Sequence, residues 1–160
     1  MKPTIKYVRI VPEAKEPQLA TDGSSGYDVY ACRVLDKETK RMISDLKEPF
    51  SIWPGESVLF GSGLAIEIPP THDAAIYSRS GLAAKCDIEV GYPGAPIDSD
   101  YRGEFTILLR NKSRKGLMVQ KFMRIAQLVF RPRVLVEWVE LTELSKTERG
   151  DRGHGSSGLY

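Results

Sequence analysis

Apolar and polar residues alternate with a period of two along much of the chain. The clearest segments are residues 5–10, 64–68 and 105–110, and such alternation predicts β-strands with one buried face. Further strands are predicted at residues 27–31, 57–61, 74–78, 88–90, 124–130 and 134–141. Many short strands separated by proline and glycine are typical of a β-sandwich or a β-barrel.

Only one short helix is predicted, over residues 80–85, where a serine near the N-cap precedes good helix formers. The strand at residues 74–78 runs into it. A helix N-terminus offers unpaired N–H donors, Ser80 adds a hydroxyl donor and Arg79 adds a charged guanidinium group that can donate two parallel hydrogen bonds. This junction is therefore a candidate anion site, with plain N-capping as the alternative.

Composition narrows the choice of partners. The chain has 160 residues, 41% of them apolar and 28% charged, which is typical of one globular domain. Its net charge is 23 − 21 = +2, so we expect neither stable nucleic-acid binding nor a basic membrane anchor. No apolar run approaches the roughly 20 residues that span a bilayer, and no signal peptide is evident, which predicts a cytoplasmic protein. Cys32 and Cys86 lack zinc-site spacing and are expected to be buried or idle.

Two segments stand apart from the strand pattern. Residues 35–48 are highly charged, and we interpret them as an exposed excursion with no direct part in chemistry. Residues 149–158 contain four glycines and two serines, and they cannot pack a core. This tail is either a disordered end or a flexible phosphate cradle, since it lacks the spacing of a Walker loop.

Carboxylates cluster at residues 97–104, just before a strong predicted strand. The cluster is either an Asx-rich turn or a site where a fixed carboxylate accepts a proton from water. Oxygen ligands without nearby Cys or His would suit Mg²⁺. In the strand at residues 124–130, Gln127 is a polar side chain among apolar neighbours, so it is either satisfied in the core or presented to a ligand.

Taken in order, these clusters resemble the five motifs of the homotrimeric deoxyuridine triphosphatases (dUTPases). The matching segments are residues 23–28, 79–83, 97–103, 124–128 and 149–158. The resemblance implies an all-β, jelly-roll-like β-barrel, the dUTPase β-clip, with one short helix and a flexible Gly/Ser-rich C-terminal tail. Residues 1–148 would form the barrel domain, with a charged insertion at about 35–48, and residues 149–160 would form a phosphate-binding lid.

The resemblance also implies Mg²⁺-dependent hydrolysis of dUTP to dUMP and pyrophosphate. Asp98 matches the carboxylate that activates water for attack on the α-phosphorus, and Tyr101 matches the ring that packs on the deoxyribose. Asp28 matches an acid with an indirect role at the metal-and-phosphate site, where triphosphate oxygens and water hold most of the Mg²⁺. The implied substrate-binding residues are Arg79, Ser80, Gly81, Tyr101, Gln127, Arg149, His154, Gly155, Ser156 and Ser157. Because motifs from three subunits build each site in this family, we expect a homotrimer.

The chain departs from the family pattern at three places. His154 stands where the family usually has phenylalanine over the uracil, and Phe122 with Met123 replaces a common Gly-Asp turn. Pro93 and Pro96 remove two N–H donors from the hairpin that reads uracil through its main chain. Two alternatives are a dCTP deaminase, which residues 97–101 disfavour, and a nucleotide-sensing module, for example a viral one, whose residues 35–48 contact a regulatory protein.

Overall fold

A computed structural model describes residues 2–152, which form thirteen β-strands and one short α-helix. The strands are β1 (Lys6–Arg9), β2 (Gln18–Leu19), β3 (Tyr27–Tyr30), β4 (Arg33–Leu35), β5 (Met42–Ser44), β6 (Phe50–Ile52), β7 (Ser57–Glu67), β8 (His72–Tyr77), β9 (Ile88–Val90), β10 (Pro96–Ile97), β11 (Glu104–Asn111), β12 (Leu117–Val119) and β13 (Arg124–Pro132). Helix α1 (Ser80–Cys86) lies between β8 and β9.

The strands form two antiparallel sheets and a two-stranded ribbon. One sheet has the order β5-β4-β7-β11-β9, with β1 also paired to β7, and the other has the order β10-β8-β13-β3-β2. A single apolar cluster contains residues from both sheets, including Phe60 and Ile107 from the first and Val29 and Leu128 from the second. This arrangement confirms the predicted all-β, jelly-roll-like fold with one short helix.

Side-chain alternation identified the long strands correctly. In β11, for example, Phe105, Ile107 and Leu109 are buried while the residues between them are less so. The two strands predicted at residues 57–61 and 64–68 are parts of one strand of 11 residues, β7, which ends at Glu67. It is continuous because β4 pairs with its first half and β1 with its second half. Within residues 2–152, no helix has the length and apolarity needed to cross a membrane.

Residues 133–152, here called the C-terminal arm, leave the second sheet after β13. The predicted strand at residues 134–141 is wrong, because no described strand pairs with this segment. Alternation identifies an extended chain, whereas a strand also needs a neighbour to bond with. The arm's apolar side chains are 64% to 93% exposed, and they are Val134, Leu135, Val136, Trp138, Val139, Leu141 and Leu144.

The charged segment at residues 35–48 contains a β-hairpin rather than only an exposed excursion. Strands β4 and β5 pair across it, and Leu46 is buried. The Asp36 carboxylate accepts the N–H groups of Glu38 at 3.1 Å and Thr39 at 2.7 Å, which closes an Asx turn. The turn between β4 and β5 is therefore ordered by its own side chain.

Candidate active site

Asp98 and Tyr101 line one cavity of about 540 Å³ beside the connection between β9 and β10. The Tyr101 N–H donates to the Asp98 carbonyl at 3.1 Å and closes a turn that exposes the Asp98 side chain. Among the described residues, no hydrogen bond or ion pair engages the Asp98 carboxylate. An exposed, unengaged carboxylate in a cavity can accept a proton from a bound water.

The ring of Tyr101 lies over its own turn, beside Gly103. Its hydroxyl donates to the Glu104 carbonyl at 3.1 Å. A Cβ atom at residue 103 would lie 2.6 Å from Cζ of Tyr101, so only glycine leaves room for the ring there. Arg33 and the Gly63 N–H both donate to the Glu104 carboxylate, which ties the start of β11 to the neighbouring strands.

A second cluster forms around Asp28 on β3. Its side chain is 3% exposed and accepts two charged hydrogen bonds, from Arg79 Nε to Oδ1 and from Arg124 Nη1 to Oδ2, each at 3.0 Å. Arg79 also donates to the Arg124 carbonyl at 3.0 Å. The side chains of Arg79 and Arg124 are 25% and 48% exposed, so a buried carboxylate holds two partly exposed arginines together. Such a pair suits a phosphate group.

Arg124 is the site residue that sequence reasoning missed. It belongs to the fourth motif, but its position at the start of β13 marked it only as a strand residue. The structure joins it to Asp28, 96 positions earlier in the chain. Its place inside a matched motif was the one signal that pointed to it.

Helix α1 begins immediately after Arg79, which occupies the N-cap with extended backbone (ψ 128°) and makes no side-chain cap. Ser80 is therefore the first helical residue and not the cap, and the N-capping alternative is not realised. Ser80 and Gly81 are exposed, and a Cβ at Gly81 would meet no atom within 4 Å. The first-turn N–H groups have no intrahelical acceptor, so this end of the helix has free donors and open space.

Gln127 on β13 lies opposite Asp28 of β3 and Tyr77 of β8 in the register of the sheet. It is partly buried, and a Cβ at residue 26 would approach its Cβ to 3.0 Å. Glycine at position 26 thus permits the close approach of β3 and β13. The sheet brings together residues from the first, second and fourth matched motifs.

The Asp28 cluster and the Asp98 cavity are neighbouring but separate. Ser78, which follows β8 and precedes Arg79, accepts the Val90 N–H at 2.8 Å through its Oγ. Because Val90 lines the Asp98 cavity, this hydrogen bond links the Arg79 region to the cavity wall. None of Asp28, Arg79, Arg124 and Gln127 lines that cavity.

Arg149 is the candidate tail residue that the structure describes, and it is not joined to either part. Its side chain donates to the Arg152 carbonyl at 3.0 Å, and within residues 2–152 it bonds no other candidate residue. His154, Gly155, Ser156 and Ser157 lie outside the described residues.

The described residues do not fit a resident Mg²⁺ site. Both oxygens of Asp28 are engaged by arginines. In this part of the chain, no group of three or more His, Cys, Asp or Glu side chains is placed to hold a metal ion. The indirect metal role of Asp28 stays a prediction, and its observed contacts are with cations.

The turn of the β4–β5 hairpin reaches the same cavity as Asp98, because Lys37 and Lys40 also line it. The pKa of Asp36, which orders this turn, is lowered, first by the backbone N–H of Thr39 and then by the Thr39 hydroxyl. The sequence had placed this segment away from the chemistry.

The family model for dUTPase matches residues 12–158. The chain belongs to the dUTPase family. A deoxyuridine 5'-triphosphate nucleotidohydrolase of Hydrogenobaculum sp. (strain Y04AAS1) is 40% identical over 159 residues, 99% of each chain. The protein of that name from Orientia tsutsugamushi (strain Ikeda) is 39% identical over 143 residues, 89% of this chain and 88% of the relative.

The fold is likewise that of solved dUTPases. The dUTPase of Staphylococcus bacteriophage 80alpha with dUpNHpp has a TM-score of 0.80 at 23% identity, covering 98% of this chain and 99% of that one.

Proposed function

We propose that this dUTPase-family chain hydrolyses dUTP to dUMP and pyrophosphate, which keeps uracil out of DNA and supplies dUMP for dTMP synthesis. The observation that carries the proposal is the unengaged Asp98 carboxylate in one cavity with the ring of Tyr101, whose hydroxyl is bonded to the Glu104 carbonyl. Both residues stand in the third family motif, and relatives about 40% identical bear the name of this activity.

Asp98 acts as the general base. It accepts a proton from water, and the water oxygen bonds to the α-phosphorus as the bond from that phosphorus to the α–β bridging oxygen breaks. Pyrophosphate leaves with the bonding electrons. The Tyr101 ring packs on the deoxyribose where a ribose 2′-hydroxyl would clash, so UTP is rejected by shape.

The Asp28 cluster binds the phosphates. Arg79 and Arg124 present their guanidinium groups, Ser80 and Gly81 add donors at the start of α1, and Gln127 lies on the adjacent strand. Asp28 positions the two arginines. The remaining phosphate contacts come from the tail, where the proposed residues are Arg149, His154, Gly155, Ser156 and Ser157. Mg²⁺ enters with the nucleotide as Mg·dUTP, because this ion keeps water and phosphate ligands and needs few protein ligands.

The active enzyme is a homotrimer. The C-terminal arm exposes seven large apolar side chains, a surface that soluble monomers rarely leave uncovered. The Asp28 cluster also lies outside the Asp98 cavity of its own chain. Packing of the C-terminal arm on a neighbouring copy covers its apolar side chains. Pairing the Asp98 cavity of one copy with Arg79 and Arg124 of a neighbouring copy completes the active site.

Light scattering tests the assembly. The full chain should give a trimer, and a chain ending at residue 132 should give a smaller species. A trimeric truncated chain would contradict the assignment.

Pyrophosphate release tests the activity. The parent chain is assayed with dUTP, dCTP, dTTP and UTP, with and without Mg²⁺, and dUTP should be the strongly preferred substrate in the presence of Mg²⁺. Asp98→Asn should retain assembly and nucleotide affinity but lose about 10²–10⁴-fold in turnover, because an amide cannot accept the proton. Ammonia release from dCTP, or near-normal turnover by Asp98→Asn, would overturn the proposal.

A further inference from the structure

The β4–β5 hairpin places two lysines at the proposed active site. Lys37 and Lys40 line the same cavity as Asp98 and Tyr101, although they come from a segment more than 50 residues earlier in the chain. Neither residue belongs to the five matched motifs. Two lysines therefore lie beside the carboxylate that is proposed to activate water.

The turn that carries these lysines is ordered. Besides the Asx turn at Asp36, the Lys40 N–H donates to the Asp36 carbonyl at 3.0 Å, and the Asp36 N–H donates to the Arg41 carbonyl at 2.8 Å. Lys40 has a φ of 59°, the left-handed conformation that closes such a turn. The lysine stems therefore start from fixed points, and less entropy is lost when their ammonium groups bind a ligand.

Charge balance in the cavity favours an anion. Within residues 2–152, neither Lys37 nor Lys40 forms an ion pair, whereas Lys47 in the same segment pairs with Asp45 at 3.3 Å. The other acidic residue of the cavity, Glu104, is neutralised by Arg33. Lys37 and Lys40, both exposed, thus line a cavity in which, among residues 2–152, Asp98 is the one carboxylate without a hydrogen bond or an ion pair; Lys37 also lines an adjoining cavity beside Trp53.

We propose that Lys37 and Lys40 bind the triphosphate of the nucleotide in the Asp98 cavity. This inference rests on the proposed function, since Asp98 must lie near the α-phosphorus. Lysine is suited to the task because its ammonium group is a compact charge on a flexible stem that can follow a phosphate chain. The charged insertion then contributes to substrate affinity.

The test compares Lys37→Ala, Lys40→Gly and the double variant with the parent enzyme. Glycine is used at position 40 because it adopts the positive φ without strain and removes only the side chain. Lys47→Ala is the matched control, since Lys47 belongs to the same segment, is 83% exposed and does not line the cavity. For each variant, KM and kcat for dUTP are measured together with the inhibition constants of pyrophosphate and of uncharged deoxyuridine.

The double variant should raise KM for dUTP about tenfold, roughly threefold for each exposed contact, with kcat nearly unchanged. The inhibition constant of pyrophosphate should rise with KM, that of deoxyuridine should not, and Lys47→Ala should match the parent. Unchanged KM in the double variant overturns the proposal. So does an equal rise for deoxyuridine, which indicates altered cavity shape, or an equal effect of Lys47→Ala, which indicates general surface charge. Failure of the parent itself to release pyrophosphate from dUTP would instead refute the proposed function.

Discussion

Asp28→Asn tests whether burial gives the two-arginine cluster its strength. Asp28 and Asp73 each accept two charged hydrogen bonds, from Arg79 and Arg124 in the first case and from Arg131 alone in the second. All four donor–acceptor distances are 2.9 to 3.0 Å, so hydrogen-bond length does not distinguish the sites. The side chain of Asp28 is 3% exposed and that of Asp73 is 21% exposed.

An asparagine at position 28 keeps one acceptor but turns an NH₂ group toward a guanidinium. Breaking a buried ion pair lowers the free energy of unfolding by about 3–5 kcal/mol. Because the two arginines are partly exposed, we expect Asp28→Asn to lie at the lower end of this range, about 3 kcal/mol. Asp73→Asn should cost about 1 kcal/mol, because water screens a more exposed pair. With a urea m-value of about 2 kcal/mol/M, the midpoints should fall by about 1.5 M and 0.5 M respectively.

Urea unfolding is followed at one fixed protein concentration, since the proposed assembly would make apparent stability depend on concentration. The unfolding measurements are repeated in 1 M NaCl. The loss of unfolding free energy should become smaller for Asp73→Asn and remain mostly unchanged for Asp28→Asn, because salt screens buried ion pairs less. KM for dUTP should rise in Asp28→Asn and not in Asp73→Asn. Equal midpoint shifts for the two variants would refute the argument from burial.

Three further predictions concern single residues. Gly103→Ala should displace the Tyr101 ring, because the new Cβ would lie 2.6 Å from Cζ, and should weaken discrimination of dUTP over UTP about tenfold in kcat/KM; an unchanged ratio would show that the ring does not exclude ribose. Burial raises the pKa of the Cys32 thiol, so in the folded protein a thiol reagent should label the partly exposed Cys86 first, and mass spectrometry showing equal rates would contradict this. Because the Thr39 hydrogen bonds lower the pKa of Asp36 below its ordinary 3.8, the turn of the β4–β5 hairpin gains stability above that pH and loses it as the pH falls through the lowered pKa; in an acid titration the midpoint of the Thr39 amide NMR shift should lie below 3.8, and a midpoint at or above 3.8 would contradict this.

Side-chain periodicity predicted the elements that are long enough to show it. Strands β8, β11 and β13 have six or more residues and were predicted close to their observed bounds. Strands β2 and β10 have only two residues each, which is too short for any alternation to be seen. The segment at residues 134–141 has the alternation of a strand, but pairing is a property of the neighbour, and a single sequence carries no information about the neighbour.

The site shows a similar division between local and long-range information. Motif order identified Asp98 and Tyr101 as neighbours because a three-residue spacing within one turn places them together. The Asp28–Arg124 pair depends on the register of β3 against β13, which sequence spacing does not specify. In the sequence, Lys37 and Lys40 are indistinguishable from the other residues of a solvated charge run. Their place in the cavity depends on how β4 pairs with β7, which the sequence does not specify.

The exposed C-terminal arm has a consequence for the life of the newly made chain. Seven apolar side chains find no cover in the described part of their own chain, so, if the proposed trimer covers them, a folded single copy displays them until it meets others. The rate of such encounters rises with the square of the concentration of free copies, and the waiting time of each copy therefore lengthens as synthesis slows. Until it assembles, the arm is accessible to proteases, and its exposed apolar side chains favour aggregation. Slow synthesis should thus yield disproportionately little enzyme, because degradation is first order and assembly is not.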